Sequence, residues 1–395
     1  MSFEIALSGI NAVNTQLDSI SNNIANSGTY GFKSSRANFS AMVAGASPTG
    51  AEIGSLTQSI GTGGSTLSTG RSLDAAIQGR GFFALRDSTG LMSYSRVGNF
   101  VVDKAGMLVD ASGRKVQGYA VTPGTTALGA MGDISVPSGQ IAAQASSKLS
   151  YSANMSKDWT TPTLTPFDKT NAQTFNSSMV SVVYDSLGTQ HTMTQYFVKS
   201  GSNAVDVHYT MDGNDLGTTN TLSFSTNGVL TAPAGAVTLA LGTPDGASAL
   251  SIDVDYTGTT LYAGEATNSV NAADGYASGT LTGTTISDDG SVLAQYSNGQ
   301  KQTIAKLALA TFPSEDGLTP TSDTSWTASQ ASGQPLYYAP GTGMAGSLTV
   351  GALEQSNVDM TGELVNLMSA QRNYQANTKV ISAESEMMQA LFQAV

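Results

Sequence analysis

An α+β fold, mostly β, with its helices confined to the two chain ends, follows from three features of the sequence. Apolar residues step by threes and fours over residues 2–25 and again from residue 360 onward. Between these segments the pattern alternates as strands do and is interrupted repeatedly by Gly, Asn and Asp. Only 12% of the chain is charged, about half the usual share, while Gly alone supplies 43 residues, a composition suited to turn-dense sheets. At 395 residues there is room for about two or three domains.

The N-terminal segment carries Phe3, Ala6, Ile10, Val13, Leu17, Ile20 and Ile24 at heptad spacing. It predicts a helix over residues 2–25 roughly 35 Å long. Asn26, Ser27, Gly28 and Gly31 then break it. In the C-terminal segment Met360, Leu364, Leu367, Gln371, Tyr374, Thr378, Ile381, Ser385, Met388, Phe392 and Val395 hold the same spacing, with Gln, Thr and Ser as interruptions. Asp359 or Thr361 is placed to cap that helix. Two such stripes fit a helical hairpin within one chain. They also fit packing against other copies of the chain, which would give a polymer.

Residues 78–120 read as a β meander punctuated by three D-x-x-G boxes, Asp87–Gly90, Asp103–Gly106 and Asp110–Gly113. Asp first and Gly fourth suit type I turns, so these aspartates are structural. Residues 121–145 read as a connection and 146–284 as a second β-rich block, with VVYDSLGTQHTMTQYFVKSG its clearest hairpin. Two strands joined by an Asn-Gly turn are expected in 286–312, a loop in 313–345 and a last strand in 346–353.

Several functions are argued against. A net charge of −12, with 17 basic residues and no basic run, disfavours nucleic acid and anionic membrane surfaces. The chain has no cysteine, so disulfides, thiolate metal sites and Cys nucleophiles are excluded. No window approaches ~18 consecutive apolar residues, so no membrane insertion is expected. The N-terminus MSFEIALSGINAVN lacks a basic and then apolar leader, so any export would proceed without a cleaved signal peptide. His191 and His208 fall in strand patterns and are expected on a solvated face. GTGMAG (Gly341–Gly346) precedes a strand rather than a helix and therefore lacks the context of a dinucleotide loop. DGNDLG (Asp212–Gly217) has too few ligands for calcium and reads as a turn. No catalytic, cofactor-binding or metal residue is assigned.

LSGINAVNTQLDSISNNIANSGTYGFK (Leu7–Lys33) resembles the N-terminal motif of the flagellar rod, hook and hook-associated axial proteins. LEQSNVDMTGELVNLMSAQRNYQANTKVI (Leu353–Ile381) resembles their C-terminal motif, and IQGRGFFAL and YSRVGNF resemble their shared β domain. FDKTNAQTFNSSMVSVVYDSLGTQHTMTQYF (Phe167–Phe197) and YSNGQKQTIAKLALATF (Tyr296–Phe312) resemble the outer-domain and return segments of the hook members. Rod members generally lack that insertion. The resemblance spans most of the chain and is weakest over 200–280. Where the family commonly has Asn, this chain has Gly28; both tolerate a positive φ.

The resemblance implies a division into four parts. Residues 1–25 and 357–395 would pair as a coiled-coil-like inner domain, and 26–71 would form a connecting arm. A middle β domain would take 72–145 and 285–356, and an outer one 146–284. It implies a non-enzymatic subunit of the flagellar hook, a curved tubular universal joint passing torque from rod to filament. Its place would be the bacterial cell surface, as part of the flagellum and its basal body. Its implied partners are copies of itself, the distal rod, the hook cap, the hook–filament junction proteins and the flagellar type III export apparatus. The apolar positions of both heptads become the assembly seam, and Asn26, Gly28, Tyr30, Gly31 and Phe32 the turn into the arm. FSAMV (Phe39–Val43) matches the F-x-x-x-hydrophobic pattern attributed to export-gate recognition; the same residues fit an apolar anchor in the arm. Other readings are a distal rod or junction protein of the family, or a secreted β-rich adhesin or carbohydrate-binding protein.

Overall fold

The computed structural model describes residues 2–44, 47–122 and 127–394. The chain forms two units: Met1–Ser138 with Thr282–Gln295 and Lys301–Val395, and Gly139–Leu281 with Tyr296–Gln300. The second unit is thus an insertion in the first.

In the first unit, helix α1 (Ser2–Ala25) and helix α2 (Met360–Ala394) are the only α-helices among the described residues. They run antiparallel, since Asn23 meets Glu363 at one end and Gly9 meets Asn377 at the other. Of the two capping candidates, Asp359 is the one used: its carboxylate accepts the Thr361 N–H at 3.1 Å and its carbonyl the Glu363 N–H at 2.9 Å. After α1 the chain turns through Asn26 and Thr29, whose N–H groups bond the carbonyls of Asn22 and Asn26 at 3.1 Å each. Gly31 supplies the left-handed residue at φ +65°, whereas Gly28 does not adopt a positive φ. The conformational demand on glycine therefore lies three residues later than the sequence comparison places it.

The arm that follows is an antiparallel hairpin of β1 (Ser35–Ala44) and β2 (Ser47–Gln58). Ala37, Phe39, Ala41 and Val43 alternate along β1, a strand signal in a stretch read at the sequence level only as an arm. The hairpin is fastened to α1 at Ser19, whose hydroxyl donates to the Ser35 carbonyl, and at Ser8, whose hydroxyl accepts the Ala51 N–H.

The strands entering and leaving the β region lie side by side. Thr66–Ser68 pairs with Ala352–Glu354 and Ala75–Gln78 with Ser347–Val350, both antiparallel. Beyond them a sheet runs from Ser291–Tyr296 through Lys301–Leu307, Lys115–Val121, Phe82–Arg86 and Met92–Ser95 to Ser325–Thr327. One core gathers Phe83, Leu85, Phe100, Val116 and Leu307, and another gathers Phe82, Tyr94, Phe312 and Trp326. In each of the three D-x-x-G boxes the Asp carboxylate accepts N–H groups two and four residues on, and the Gly lies at φ +79° to +91°. Two expectations are corrected. Leu128–Asp133, within the supposed connection, is a strand paired with Lys115–Val121. Thr319–Thr321, Ser325–Thr327 and Leu336–Tyr338, within the supposed loop, are also strands, held there because Trp326 fills the second core.

The second unit is a sandwich of two five-stranded sheets. Its core draws Leu149, Tyr151, Ile252 and Val254 from one sheet and Val183, Phe197, Val207 and Leu222 from the other. Inside it Tyr209 and Tyr256 share a hydrogen bond of 2.9 Å, and the Tyr256 hydroxyl donates to Gln195 at 2.5 Å. The strand Ala204–Met211 shows the alternation expected of one buried face. The hairpin of Ser177–Tyr184 and Gln190–Gly201 lies where the sequence predicts it.

Gly98 sits where two strands leave no room for a side chain: a Cβ there would lie 1.9 Å from the Ala75 carbonyl oxygen and 2.8 Å from the Phe83 ring. Gly98→Ala is expected to destabilise the first unit by about 1–3 kcal/mol, as overpacking does. Urea unfolding followed by circular dichroism would show a lower midpoint; an unchanged midpoint would mean the backbone shifts freely there.

Candidate assembly surface

The two helices share only a thin core. Val13, Ile20 and Ala370 are buried between them, and Leu17, Ile24 and Leu367 are partly so. Polar and small residues complete the contact. The Asn23 amide donates to Glu363 at 2.8 Å, and Gly9 admits the side chain of Asn377. Of the seam positions named from sequence, Ala6 is also buried and Ile10 and Ile381 are half-buried. Phe3, Met360, Leu364, Tyr374 and Met388 remain 37–48% exposed. Nothing is described of the Phe392 side chain, and Val395 lies outside the described residues.

The face of α2 that meets α1 is therefore offset from the apolar stripe. It uses Glu363, Leu367, Ala370 and Asn377, while Leu364 and Met360 on the other flank stay open. Val365, Met368, Val380, Met387 and Leu391, off the predicted stripe, are 46–62% exposed as well. At roughly 50 Å, against about 36 Å for α1, α2 also carries its last residues beyond its partner. A groove of about 700 Å³ lies beside this pair, lined by Ile5, Gly9, Val13, Phe39, Asn373 and Ala376 among others.

A buried ionic cluster fixes the base of the arm. Lys33 Nζ lies 2.6 Å from Glu354 Oε1, and Arg96 Nη1 lies 3.5 Å from Glu354 Oε2. All three side chains are at most 2% exposed. Lys33 also donates to the Thr62 carbonyl at 2.8 Å, Arg96 donates to that of Gly79 at 2.9 Å, and the Gly64 N–H donates to Glu354 Oε1 at 3.0 Å. Arg96 stacks over the Phe82 ring. Burial pulls the pKa of Lys33 and of Arg96 below their ordinary values, with Glu354 opposing in both cases. Asn357 adds a neutral clasp: it accepts the Ser34 N–H at 2.7 Å and donates to the carbonyls of Ser59 and Thr62. Sequence reasoning did not single out Lys33, Arg96, Glu354 or Asn357, although each lies inside a motif that carries the family resemblance.

Within the turn, Gly31 donates its N–H to the Glu354 carbonyl at 2.8 Å, and the Phe32 carbonyl accepts from Asn357. Asn26 bonds back to Asn22, and Gly28 is open on every side. Tyr30 is 37% exposed and borders a cleft of about 240 Å³ with Val97, Asp110 and Arg114. Phe39 and Val43 are exposed on β1.

The histidines are more engaged than a solvated strand face implies. His191 lies between the carboxylates of Asp212 and Asp185 at 2.7 and 3.3 Å. His208 stacks on Phe167 with ring centroids 4.2 Å apart. The hairpin turns fold over the first, and an upstream loop folds over the second. Among the described residues no group of three or more His, Cys, Asp or Glu is arranged to hold a metal ion. No helix among them is long and apolar enough to cross a membrane.

Family profiles match four successive parts of the chain. Flagella basal body rod protein covers residues 3–33, and Flagellar hook protein FlgE/F/G D1 domain covers 76–151. Flagellar basal body protein FlaE D2 domain covers 153–276, and Flagellar basal body rod FlgEFG protein C-terminal covers 349–394. The chain is 41% identical to the flagellar hook protein FlgE of Escherichia coli, over 99% of both chains. It is 40% identical to that of Salmonella typhimurium over 99% of both. To that of Brucella suis it is 31% identical, over 98% of this chain and 96% of the relative. The crystal structure of Helicobacter pylori flagellar hook protein FlgE2 shares the fold with a TM-score of 0.54 at 12% identity, over 71% of this chain and 98% of that one.

Glu354 faces two cations, whereas Lys33 faces one anion. Glu354→Gln is therefore expected to cost about 3–5 kcal/mol, the range for leaving buried charge uncompensated. Lys33→Met should cost less, because Glu354 keeps Arg96. Urea denaturation of the two variants gives the ranking, and the reverse order would remove Glu354 from the centre of the cluster.

Proposed function

The chain belongs to the flagellar hook protein family and is a structural subunit of the bacterial flagellar hook; from that premise we propose how its own residues build the polymer. The observation that carries the reading is the unsatisfied apolar surface of the helix pair. A folded monomer seldom leaves so many large apolar side chains exposed along two adjoining helices, and such patches mark interaction sites. Phe3, Leu364, Tyr374 and Met388, with Val365, Met368, Met387 and Leu391, are the side chains that neighbouring copies would cover. Val13, Leu17, Ile20, Ile24 and Leu367 hold the two helices together first. Burying an apolar side chain is worth roughly 1.5–3 kcal/mol and an exposed ion pair about 0–1 kcal/mol. In a chain with so few charges, the helices drive assembly and charge tunes it.

In this reading the turn at Asn26–Phe32 and the hairpin β1–β2 set the arm on its path, with Tyr30 offered to a neighbour and Phe32 held within its own chain. Phe39 and Val43, exposed on β1, are accessible to an export gate before assembly and to another subunit after it. The second unit supplies contacts between subunits that slide as a universal joint bends while carrying torque. The immediate partners are further copies of the chain, then the distal rod, the hook cap and the hook–filament junction proteins. The route outward is the flagellar type III apparatus, without signal cleavage. No enzymatic role is assigned.

Leu364→Asp is the discriminating variant, because Leu364 is 47% exposed in the single chain, so its replacement is expected to spare the fold. Electron microscopy of the concentrated protein should show curved tubes from the parent chain and none from the variant, with unchanged circular dichroism. Leu17→Asp should abolish tubes too, while loosening the helix pair itself. Tubes of ordinary form from Leu364→Asp would sink the proposed seam.

A further inference from the structure

At one end of the sandwich unit two hairpin turns come together over a single imidazole. The first joins Ser177–Tyr184 to Gln190–Gly201 and contains Asp185; the second joins Ala204–Met211 to Asn214–Phe224 and contains Asp212. His191 projects between them, its Nδ1 2.7 Å from Asp212 Oδ2 and its Nε2 3.3 Å from Asp185 Oδ2. Each aspartate has its other oxygen committed to backbone. Asp185 Oδ1 accepts the N–H groups of Leu187 and Thr189 at 2.9 and 2.8 Å, and Asp212 Oδ1 accepts that of Thr192 at 2.8 Å. Both behave as ionised acceptors, and an ionised carboxylate cannot donate. A neutral imidazole has one N–H and satisfies one of them. Only the doubly protonated ring satisfies both.

We propose that His191 is a protonation-controlled rivet: as imidazolium it ties the two turns of the sandwich unit together, and on losing a proton it releases one of them. Asp212 sits at φ +48°, a left-handed conformation that Asp tolerates better than most residues, and the two-residue turn Asp212–Gly213 holds its carboxylate against the ring. Val183 lies opposite His191 in the strand register and brings no charge. Lys169 reaches the Gly213 carbonyl beside this turn and is the cation placed nearby.

Burial pulls the pKa of His191 down, but the hydrogen bonds and charges of Asp212 and Asp185 outweigh it and hold it above the ordinary 6.5. The stabilisation from His191 is therefore complete below about 6.5 and is lost as pH rises through its elevated folded value. For Asp185 and Asp212 burial acts upward, and the backbone N–H groups and His191 outweigh it, so both are lowered. Their contributions hold above the ordinary 3.8 and are lost only as pH falls through the lowered values. The rivet is thus closed in mildly acidic medium and opens as the pH rises through the raised His191 value.

The chain has two histidines, so nitrogen NMR of the full-length protein with labelled histidine gives two ring systems, assigned with a His208→Gln variant. His191 should carry protons on both nitrogens at pH 6 and titrate above the free-imidazole value. His208, half-buried and stacked on Phe167, should titrate below it. Asp212→Asn, which keeps a residue tolerant of the left-handed turn, should move the His191 midpoint downward. Amide protection at Thr192, Leu187 and Thr189, corrected for intrinsic exchange, should fall as pH rises through that midpoint, and His191→Gln should abolish the dependence. A His191 ring with a single N–H at pH 6, a midpoint at or below that of free imidazole, or protection indifferent to the titration would overturn the proposal.

Discussion

Glu354 is the point at which this chain closes on itself. Its carboxylate binds Lys33, which lies 321 residues earlier, and faces Arg96 from the β region. Everything that must converge for the two terminal helices to lie together passes through this place: the turn leaving α1, the strand entering the sheet, the strand returning from it and the segment starting α2. Apolar packing alone would hold these strands together while permitting them to slide, because two apolar surfaces in contact have many nearly equal registers. A desolvated carboxylate has few. Its partners must be within hydrogen-bonding distance or the charge is left bare, at a penalty of several kcal/mol. The cluster is thus a modest contributor to net stability and a strong constraint on geometry, and torque passing from helices to sheets would cross it.

Above that junction the two parts of the chain face opposite situations. The sandwich unit has a core of twenty buried residues, with Tyr209, Tyr256 and Gln195 hydrogen-bonded inside it. The helix pair shares a core of three buried apolar residues and relies on Asn23, Glu363, Gly9 and Asn377 for much of the rest of its contact. Isolated helices are marginal in water, and most helical stability in proteins comes from an apolar face buried against something. In the single chain that burial is only partial. A subunit built this way carries a folded β body and a helix pair that still has apolar surface to bury.

Much of the fold was legible in the sequence, and the limits of that reading are physical. The helix bounds followed from strict heptad spacing, and the D-x-x-G turns from the pairing of an accepting side chain with a residue free to take positive φ. The strands at Leu128–Asp133 and Leu336–Tyr338 were not: the first pairs with the preceding strand across an Ala-, Gly- and Pro-containing stretch that reads as a connection, and the second is three residues long and defined by a partner some 25 residues earlier. The seam itself was half legible. A stripe of apolar residues says which side of a helix avoids water; it does not say which flank of that side meets which neighbour. Here α1 takes the flank with Ala370 and Asn377, where small and polar side chains allow close approach, and leaves Leu364 and its neighbours uncovered. The buried charges were hidden for a different reason. Lys33, Arg96 and Glu354 belong to no local pattern, and a lone charged residue reads as surface until the fold shows what it faces.

That split of flanks bears on how a tube can be both strong and compliant. If the apolar stripe of α2 were wholly consumed by α1, the helix pair would be a finished hairpin with nothing to offer. If none of it were, the two ends of the chain would assemble independently and the arm would have no fixed root. With one flank committed within the chain and the other open, each subunit arrives with its helices already paired and still has apolar surface to bury on its neighbours. Strength then resides in the helices, where contacts are numerous and directional. In the proposed reading the sheets, poor in charge and rich in short polar side chains, would meet their neighbours through contacts individually worth little and easily exchanged. In that reading the bending a universal joint requires would fall on those weaker contacts.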